Sequence, residues 1–533
     1  MSQLRSLFLL LVAISGGVSA AIGPGATLPI VNKNIALMGL LVRDATLAGG
    51  TFPGPVIQGK KGSEFKINVV DQLTDTSMDL ATSIHWHGLF QRHTNYVDGP
   101  AFVTQCPLVP KEKFLYDFKT LDQAVPPFSY FARFRSADSV SASGNILVSQ
   151  SFQNQYCDGL RGALVIYDDK DPQRGLYDID NEHTIITLAD WYHYLSTNAP
   201  HSFNSTLING KGNYPANVSL AVVNVQKGKR YRLRVVSIFS IDNHQLTVIE
   251  ADGIDVRPLV VDSLEIFAGQ RYSVVLNANQ PVANYWIRSL PHALGRDFSN
   301  LNNLAVLHYA GAHKAHPTVD PTVNIPTSKL PLVETNLHSL KPSNSARKHI
   351  PGGADININL NVVLVSFGLW SLSTFADSRG QNNAHTAFLV NGVAFEPPTV
   401  PVLLQILSGA KNASDLLPAG SIYGLEANKS VELTIPGGAI GGPVTSCSLA
   451  RHSFSVVRSA GNSSYNFDNP VVRDVVSIGN ASDEVTIRFF TDNPGPCGFA
   501  VVFAEDVPEC RHRTSRRDLC PTYNAFINST GHT

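Results

Sequence analysis

Six cysteines in 533 residues are too few to staple a chain of this size, so the fold does not rest on a dense disulfide framework. Charge of one sign is also missing: 41 Lys and Arg against 42 Asp and Glu leave a net charge of −1. That balance excludes a basic stripe for nucleic acid and gives little long-range steering of charged ligands, whereas small neutral substrates are easily accommodated. Beyond the first 20 residues no apolar run approaches the roughly 20 residues of a membrane-spanning helix, so no membrane partner is expected. Long amphipathic helical patterns are nearly absent as well, and Val400-Pro-Val-Leu-Leu-Gln-Ile-Leu-Ser-Gly409 is the best short helix.

What is present alternates like strands. Glu64-Phe-Lys-Ile-Asn-Val-Val70, Arg230-Tyr-Arg-Leu-Arg-Val-Val236, Tyr272-Ser-Val-Val-Leu276 and Val431-Glu-Leu-Thr-Ile435 are rich in β-formers and are separated by Gly, Pro, Asn and Asp, the pattern of short strands in sandwiches or barrels. A basic or polar turn leading into a strand recurs at Gln58-Gly-Lys-Lys-Gly-Ser-Glu-Phe-Lys-Ile and Gln226-Lys-Gly-Lys-Arg-Tyr-Arg-Leu, with a looser counterpart at Glu426-Ala-Asn-Lys-Ser-Val-Glu-Leu. This spacing, and a length of 533 residues at roughly 150 per domain, predict three related β-units. The Pro-rich tract from His316 to Pro342 reads as the linker before the third, and the first boundary falls near Asp168 to Gly175. We divide the chain at 21–170, 171–326 and 327–533.

Residues 1–20 have the form of a secretory signal: Arg5, an apolar run from Leu7 to Ile14, and the small residues Val18-Ser19-Ala20 before a cut at Ala21. A secreted, extracellular chain is expected. Seven Asn-x-Ser/Thr sequons, at Asn204, Asn217, Asn412, Asn428, Asn462, Asn480 and Asn528, agree with export and make each a candidate glycosylation site.

The run Ser83-Ile-His-Trp-His-Gly-Leu89 carries the chemistry. On a strand side chains alternate, so His85 and His87 share one face while Trp86 enters the opposite layer. Paired neutral imidazoles suit copper, zinc, iron or nickel, and an isolated His-x-His is more often an ordinary strand pair, so context decides. His93, His183, His193, His201 and His244 sit in polar or turn contexts without ligand spacing and read as solvated or structural. The basic cluster Arg511-His-Arg-Thr-Ser-Arg-Arg517 reads as a solvated surface.

Context comes from phrases spread along the whole mature chain. Ala21-Ile-Gly-Pro, Thr51-Phe-Pro-Gly-Pro, Ile84-His-Trp-His-Gly-Leu, Val97-Asp-Gly-Pro-Ala-Phe-Val-Thr-Gln-Cys-Pro, Gln155-Tyr-Cys-Asp-Gly-Leu-Arg-Gly, Pro397-Pro-Thr-Val-Pro-Val-Leu-Leu-Gln, Phe454-Ser-Val-Val-Arg-Ser-Ala-Gly and Asp518-Leu-Cys-Pro-Thr-Tyr resemble secreted fungal laccases of the multicopper oxidase family, in collinear order. The resemblance implies an all-β fold of three cupredoxin-like Greek-key domains and copper as cofactor, four ions per monomer. It implies a monomer that oxidises small phenols one electron at a time at a blue copper and reduces dioxygen to water by four electrons at a trinuclear cluster. His85 and His87 would be cluster ligands. Cys106 and Cys520 would form a disulfide between the first and third domains, and Phe388 and Phe395, beside Asn391-Gly392, are weak candidates for lining the phenol pocket, with core packing the commoner task. A role in lignin degradation or pigment formation follows from the family alone.

Three of the four family ligand motifs are disrupted. Where the family has the His-Ser-His of Trp-Tyr-His-Ser-His, this chain has Ser149-Gln150-Ser151, preceded by an aberrant insert at 125–143. Hydroxyls and an amide are poor copper(II) anchors beside imidazole. Codons permitted for Gly144 to Ser151, read one base later, give Gly-Thr-Phe-Trp-Tyr-His-Ser-His. Those permitted for Thr445-Ser-Cys-Ser-Leu-Ala-Arg451 give His-Pro-Val-His-Leu-His-Gly in the same way. The fourth motif, His-Cys-His-x-x-x-His, is absent at Asn493-Pro-Gly-Pro-Cys497, and Cys497 without flanking histidines reads as a packed thiol rather than a blue-copper ligand. Cys157 lacks its expected partner, since Val236 to Asp242 contains no cysteine. Two functions therefore compete: a laccase, with a ferroxidase or ascorbate oxidase as the enzymatic alternative, and a secreted copper-poor cupredoxin scaffold without oxidase activity.

Overall fold

The computed structural model describes residues 21–37, 42–120, 123, 127–132, 135–136, 151–152, 154–195, 205–213, 219–235, 238–290, 298, 301–323, 325–341, 353–367, 385–393, 398–410, 420–437, 445–449, 451–503 and 523–529. Strands dominate, and they sort into three successive groups, as the recurring turn-and-strand phrases suggest.

In the first group, the strands Gly25–Ile35, Arg43–Ala48, Glu64–Gln72 and Lys113–Lys119 form one sheet, and Gly54–Lys60, Ile84–His87, Pro127–Ala132 and Arg161–Tyr167 form the other. The alternation in Glu64–Gln72 appears directly as exposed and buried positions in turn, and Phe65, Ile67 and Val69 meet Trp86, Tyr116 and Phe118 in one apolar cluster. Parts of the tract read as an insert are seated in the fold. Pro127–Ala132 lies between Ile84–His87 and Arg161–Tyr167, antiparallel to both, because an otherwise bare ladder edge beside the histidine strand needs backbone partners.

The second group pairs two five-stranded sheets, within Ile185–Asn277 and Val222–Tyr309, and the third pairs two more between Ile356 and Ser529. Both groups contribute to one contiguous core cluster, in which Leu246, Leu276 and Leu307 of the second are joined through packed neighbours to Leu433, Ile487 and Cys447 of the third. The Pro-rich tract is strapped to the second group: Trp286 Nε1 donates to Val319 O at 2.7 Å, Arg288 Nη1 to Pro321 O at 2.9 Å, and Arg257 N to His338 O at 2.8 Å. Its end reaches the third group, where Ser339 Oγ donates to Pro470 O at 3.2 Å. The short helix expected from Val400 onward is Val402–Leu407. Its first amides donate to Phe102 O and Val103 O at 3.1 and 2.9 Å, which docks the third group on the first.

Asp71, on Glu64–Gln72, is buried and accepts one hydrogen bond, from Leu73 N at 2.9 Å. Burial pushes its carboxyl up to about 6, against the pull of that backbone N–H and with a small push from Glu112. A folded-state pKa above the unfolded value contributes stability that is present below about pH 4 and lost as pH rises through about 6. Asp71→Asn should therefore gain on the parent between pH 4 and pH 7, by up to about 3 kcal/mol, read as a widening difference in unfolding midpoint. A difference that does not change with pH contradicts this.

Candidate metal centre

The four-residue strand Ile84–His87 is buried along its whole length. Trp86 packs edge-on against Tyr116 with centroids 5.3 Å apart and tilts against Phe118 at 5.2 Å, so its indole fixes the strand to the first-domain core. Ile84 N donates to Tyr116 Oη at 2.9 Å. With Trp86 held inward, alternation delivers both imidazoles to the other face, their ring centroids 5.7 Å apart and their planes perpendicular. His85 Nδ1 lies 2.8 Å from Asp98 O, a contact in which a protonated Nδ1 donates and Nε2 is left as the lone-pair nitrogen. The Asp98 carboxylate is itself buried, with Oδ1 3.5 Å from His85 Nδ1.

His87 faces the other two domains. Its Nε2 is 3.7 Å from Asp474 Oδ1, and Asp474 receives Arg271 in a two-pronged pair at 2.5 and 2.7 Å. Asp252 accepts from Arg473 Nε at 2.9 Å, from Arg271 N at 2.9 Å and from Val475 N at 3.1 Å. Arg473 Nη1 also reaches Glu334 Oε1 at 2.8 Å and Tyr272 Oη at 3.0 Å. Burial alone would raise the Asp474 carboxyl, but Arg271 and His87 outweigh it and hold it well below the usual carboxylate range. Burial likewise opposes charge on Arg473, and Asp252, Tyr272 and Glu334 reverse it, holding the guanidinium firmly protonated. Tyr272 is pushed up to about 12, chiefly by burial.

The structure thus brings His85 and His87 together with Asp98 and Asp474. The aspartates were missed in the sequence, although Val97-Asp98-Gly99 lay inside a quoted phrase and Arg473-Asp474 are neighbouring opposite charges in the otherwise apolar run Val471-Val-Arg-Asp-Val-Val476. Across the ladder from the histidines, Pro127–Ala132 places Phe131 opposite His85 and Ser129 opposite His87, residue types that add no strong copper ligand. Ser149, Gln150, Cys510, Cys520 and Phe395 lie outside the described residues. So does the Phe388 side chain, on the strand His385–Val390.

Cys106 is exposed, and Cys447 is buried with its thiol pushed up by desolvation, which removes it as a ready thiolate. Cys497 is 3% exposed and belongs to the core shared by the second and third domains, as a packed thiol should. His244 is structural, with Nδ1 2.7 Å from Asp242 O and Nε2 2.7 Å from Tyr309 Oη. Among the sequons, Asn428 and Asn480 are exposed and Asn462 is half-buried; Asn528 is on the strand Tyr523–Ser529, and Asn204, Asn217 and Asn412 lie outside the described residues.

Three successive strand sandwiches define a cupredoxin-like architecture, and comparison with known proteins agrees. Family models described as multicopper oxidase match residues 30–171, 182–312 and 395–500. The chain is 46% identical to Laccase-2 of Trametes versicolor, covering 98% of both chains, and 46% identical to a laccase of Phlebia radiata, again covering 98% of both. Among solved structures, the laccase of Botrytis aclada superposes with a TM-score of 0.69 at 24% identity, covering 96% of this chain and 88% of that one. The multicopper oxidase Fet3p superposes with 0.71 at 23%, covering 90% and 88%. The chain belongs to the multicopper oxidase family. Within it the chain is of the fungal laccase type, an oxidoreductase whose family cofactor is copper.

The residues present do not fit a full copper set. Among the described residues, no group of three His, Cys, Asp or Glu side chains is arranged to hold a metal ion, and the side chains aligned with the lost motifs are of the wrong type. What the pocket does hold tightly is charge pairing. Asp474→Ala leaves the buried Arg271 guanidinium without its two-pronged partner and should destabilise by about 3–5 kcal/mol, whereas pairing Arg271→Met with Asp474→Leu should cost much less. Thermal unfolding of the two variants checks this, and a single variant within about 1 kcal/mol of the parent contradicts it.

Proposed function

We propose that this protein is a secreted, monomeric laccase-type scaffold whose family reaction is the one-electron oxidation of small neutral phenols coupled to reduction of dioxygen, and that His85 and His87 are the copper ligands it retains. The match to fungal laccases over 98% of the chain carries the reading. A near-neutral charge balance suits uncharged phenols, and no helix among the described residues is long and apolar enough to cross a membrane. The division at 21–170, 171–326 and 327–533, the seven glycan sites, the Cys106–Cys520 bridge and pocket roles for Phe388 and Phe395 belong to the same proposal.

A second reading, the copper-poor scaffold without oxidase activity, is favoured by one observation: with Phe131 and Ser129 set opposite the histidines, the strand beside them adds no imidazole. We take it as the state of this chain and the oxidase as the state of the same scaffold with its motifs intact. Oxygen uptake with 2,6-dimethoxyphenol separates them. The chain itself should consume no oxygen above the blank, and a version carrying all four family motifs should consume one dioxygen per four phenols. Uptake at that ratio by the chain itself overturns the copper-poor reading, and none by the motif-complete version overturns the laccase reading.

A further inference from the structure

The second domain carries a depression that shares no residue with the imidazole site or the ionic pairs beside it. Its floor is the outward face of the sheet that contains Arg230–Val235, Leu246–Ala251, Ile254–Val261 and Tyr272–Asn277. Tyr231, Leu246, Val248, Val261, Val274 and Leu276 belong to the core, so alternation turns Arg230, Thr247, Val260, Val275 and Asn277 outward. Register sets these in rows: Val260, Thr247 and Val275 stand side by side on neighbouring strands, and Asn277 stands opposite Arg230. The segment from Gln173 to Tyr177 covers one end of the face, where Gln173 Nε2 donates to Ile249 O at 2.6 Å and Tyr177 packs with Ile249 and Val275. The rest is an open cavity of about 450 Å³, inside the roughly 300–1,000 Å³ of small-ligand sites.

Asn243, Gln245, Thr247, Asn277, Asn279 and Gln280 supply its polar lining, five amides and one hydroxyl. Each amide offers two N–H donors and an accepting carbonyl. Among the described residues the side chains of Asn243, Gln245, Thr247 and Asn277 make no hydrogen bond, so that capacity is unspent. The walls that carry them are pinned through the backbone: His244 N donates to Ile241 O at 3.1 Å beneath Asn243, and Asn279 N donates to Asn277 O at 2.9 Å. Gln280 N donates to Tyr309 Oη at 3.3 Å, and its Nε2 to Asn279 Oδ1 at 3.0 Å, which leaves the Asn279 NH2 and the Gln280 carbonyl to a ligand. Arg230 is the one ionisable side chain in the lining, and its guanidinium is already engaged: Nη2 donates to Asp178 Oδ1 and Nη1 to Gly175 O, each at 2.8 Å. None of the lining residues is aromatic.

We propose that this depression binds a neutral saccharide. Sugar hydroxyls each donate and accept, and a row of amides answers both roles where a row of carboxylates or ammonium groups answers only one. Leu176, Val260 and Val275 lie among the amides and give an aliphatic strip for the C–H face of a pyranose ring; Val260 is 48% exposed, and a seated ring covers it. A charged ligand finds no unpaired counter-charge in the lining, and a phenol finds no ring to stack on. The site is therefore distinct in chemistry from that of a phenol oxidase, and it needs no copper. A fragment of a free polysaccharide and the stem of a protein-linked glycan share this chemistry.

Calorimetric titration of the full chain with cellobiose, chitobiose and digalacturonate tests the assignment. At least one of the two neutral disaccharides should bind saturably, with a dissociation constant of about 1–10 mM, and digalacturonate should bind more weakly. Tighter binding of cellobiose assigns the site to free polysaccharide, and tighter binding of chitobiose to a glycan stem. Gln245→Ala and Asn277→Ala should each weaken the neutral sugar at least about fivefold, with the unfolding midpoint unchanged because both side chains are exposed. Saturable binding of neither neutral sugar, tighter binding of digalacturonate, or an affinity unchanged in both variants overturns the proposal. None of these measurements depends on oxygen uptake, so failure here is distinguishable from failure of the oxidase reading.

Discussion

The buried ionic cluster of Asp252, Arg271, Arg473, Asp474 and Glu334 is the constraint on which the arrangement of the molecule depends. Asp252 and Arg271 come from the second domain, Glu334 from the strap, and Arg473 and Asp474 from the third, with His87 of the first domain against Asp474. Each group is desolvated, so each is tolerable only while the others are in place. Three sandwiches that could each bury their own core are in this way given a fixed relation to one another, and the imidazole pair sits at the point where they meet. Hydrophobic burial sets the sandwiches; charge pairing sets the seam.

The fold was readable in the chain because its signals are local. Alternation in Glu64-Phe-Lys-Ile-Asn-Val-Val70 became an alternately buried strand, Trp86 went inward and the two histidines outward, and the helix after Val400 formed at Val402–Leu407. The site was half readable for the opposite reason. Its charged members are separated by up to hundreds of positions, and nothing in Asp252 or Arg271 taken singly distinguishes a clamp from a solvated surface charge. The seating of Pro127–Ala132 beside the histidine strand was likewise hidden, because a residue run marked as an insert carries no sign of which ladder it will complete.

Family membership and chemistry separate in this protein. Sequence likeness to fungal laccases extends over nearly the whole chain, and the architecture that likeness implies is present. The ligand chemistry is confined to a handful of positions, and there Ser149 and Ser151 stand where the family motif has imidazoles. A scaffold tolerates such replacements because its stability resides in the cores and the ionic seam, while the copper set needs every ligand at once.

The most direct test is the number of copper ions per chain, determined by atomic emission on protein secreted from a copper-supplemented culture and purified without chelator. A scaffold that retains His85 and His87 but not the remaining ligands holds fewer than one ion per chain and shows no blue thiolate absorbance. About four ions per chain, with that absorbance, would contradict the account.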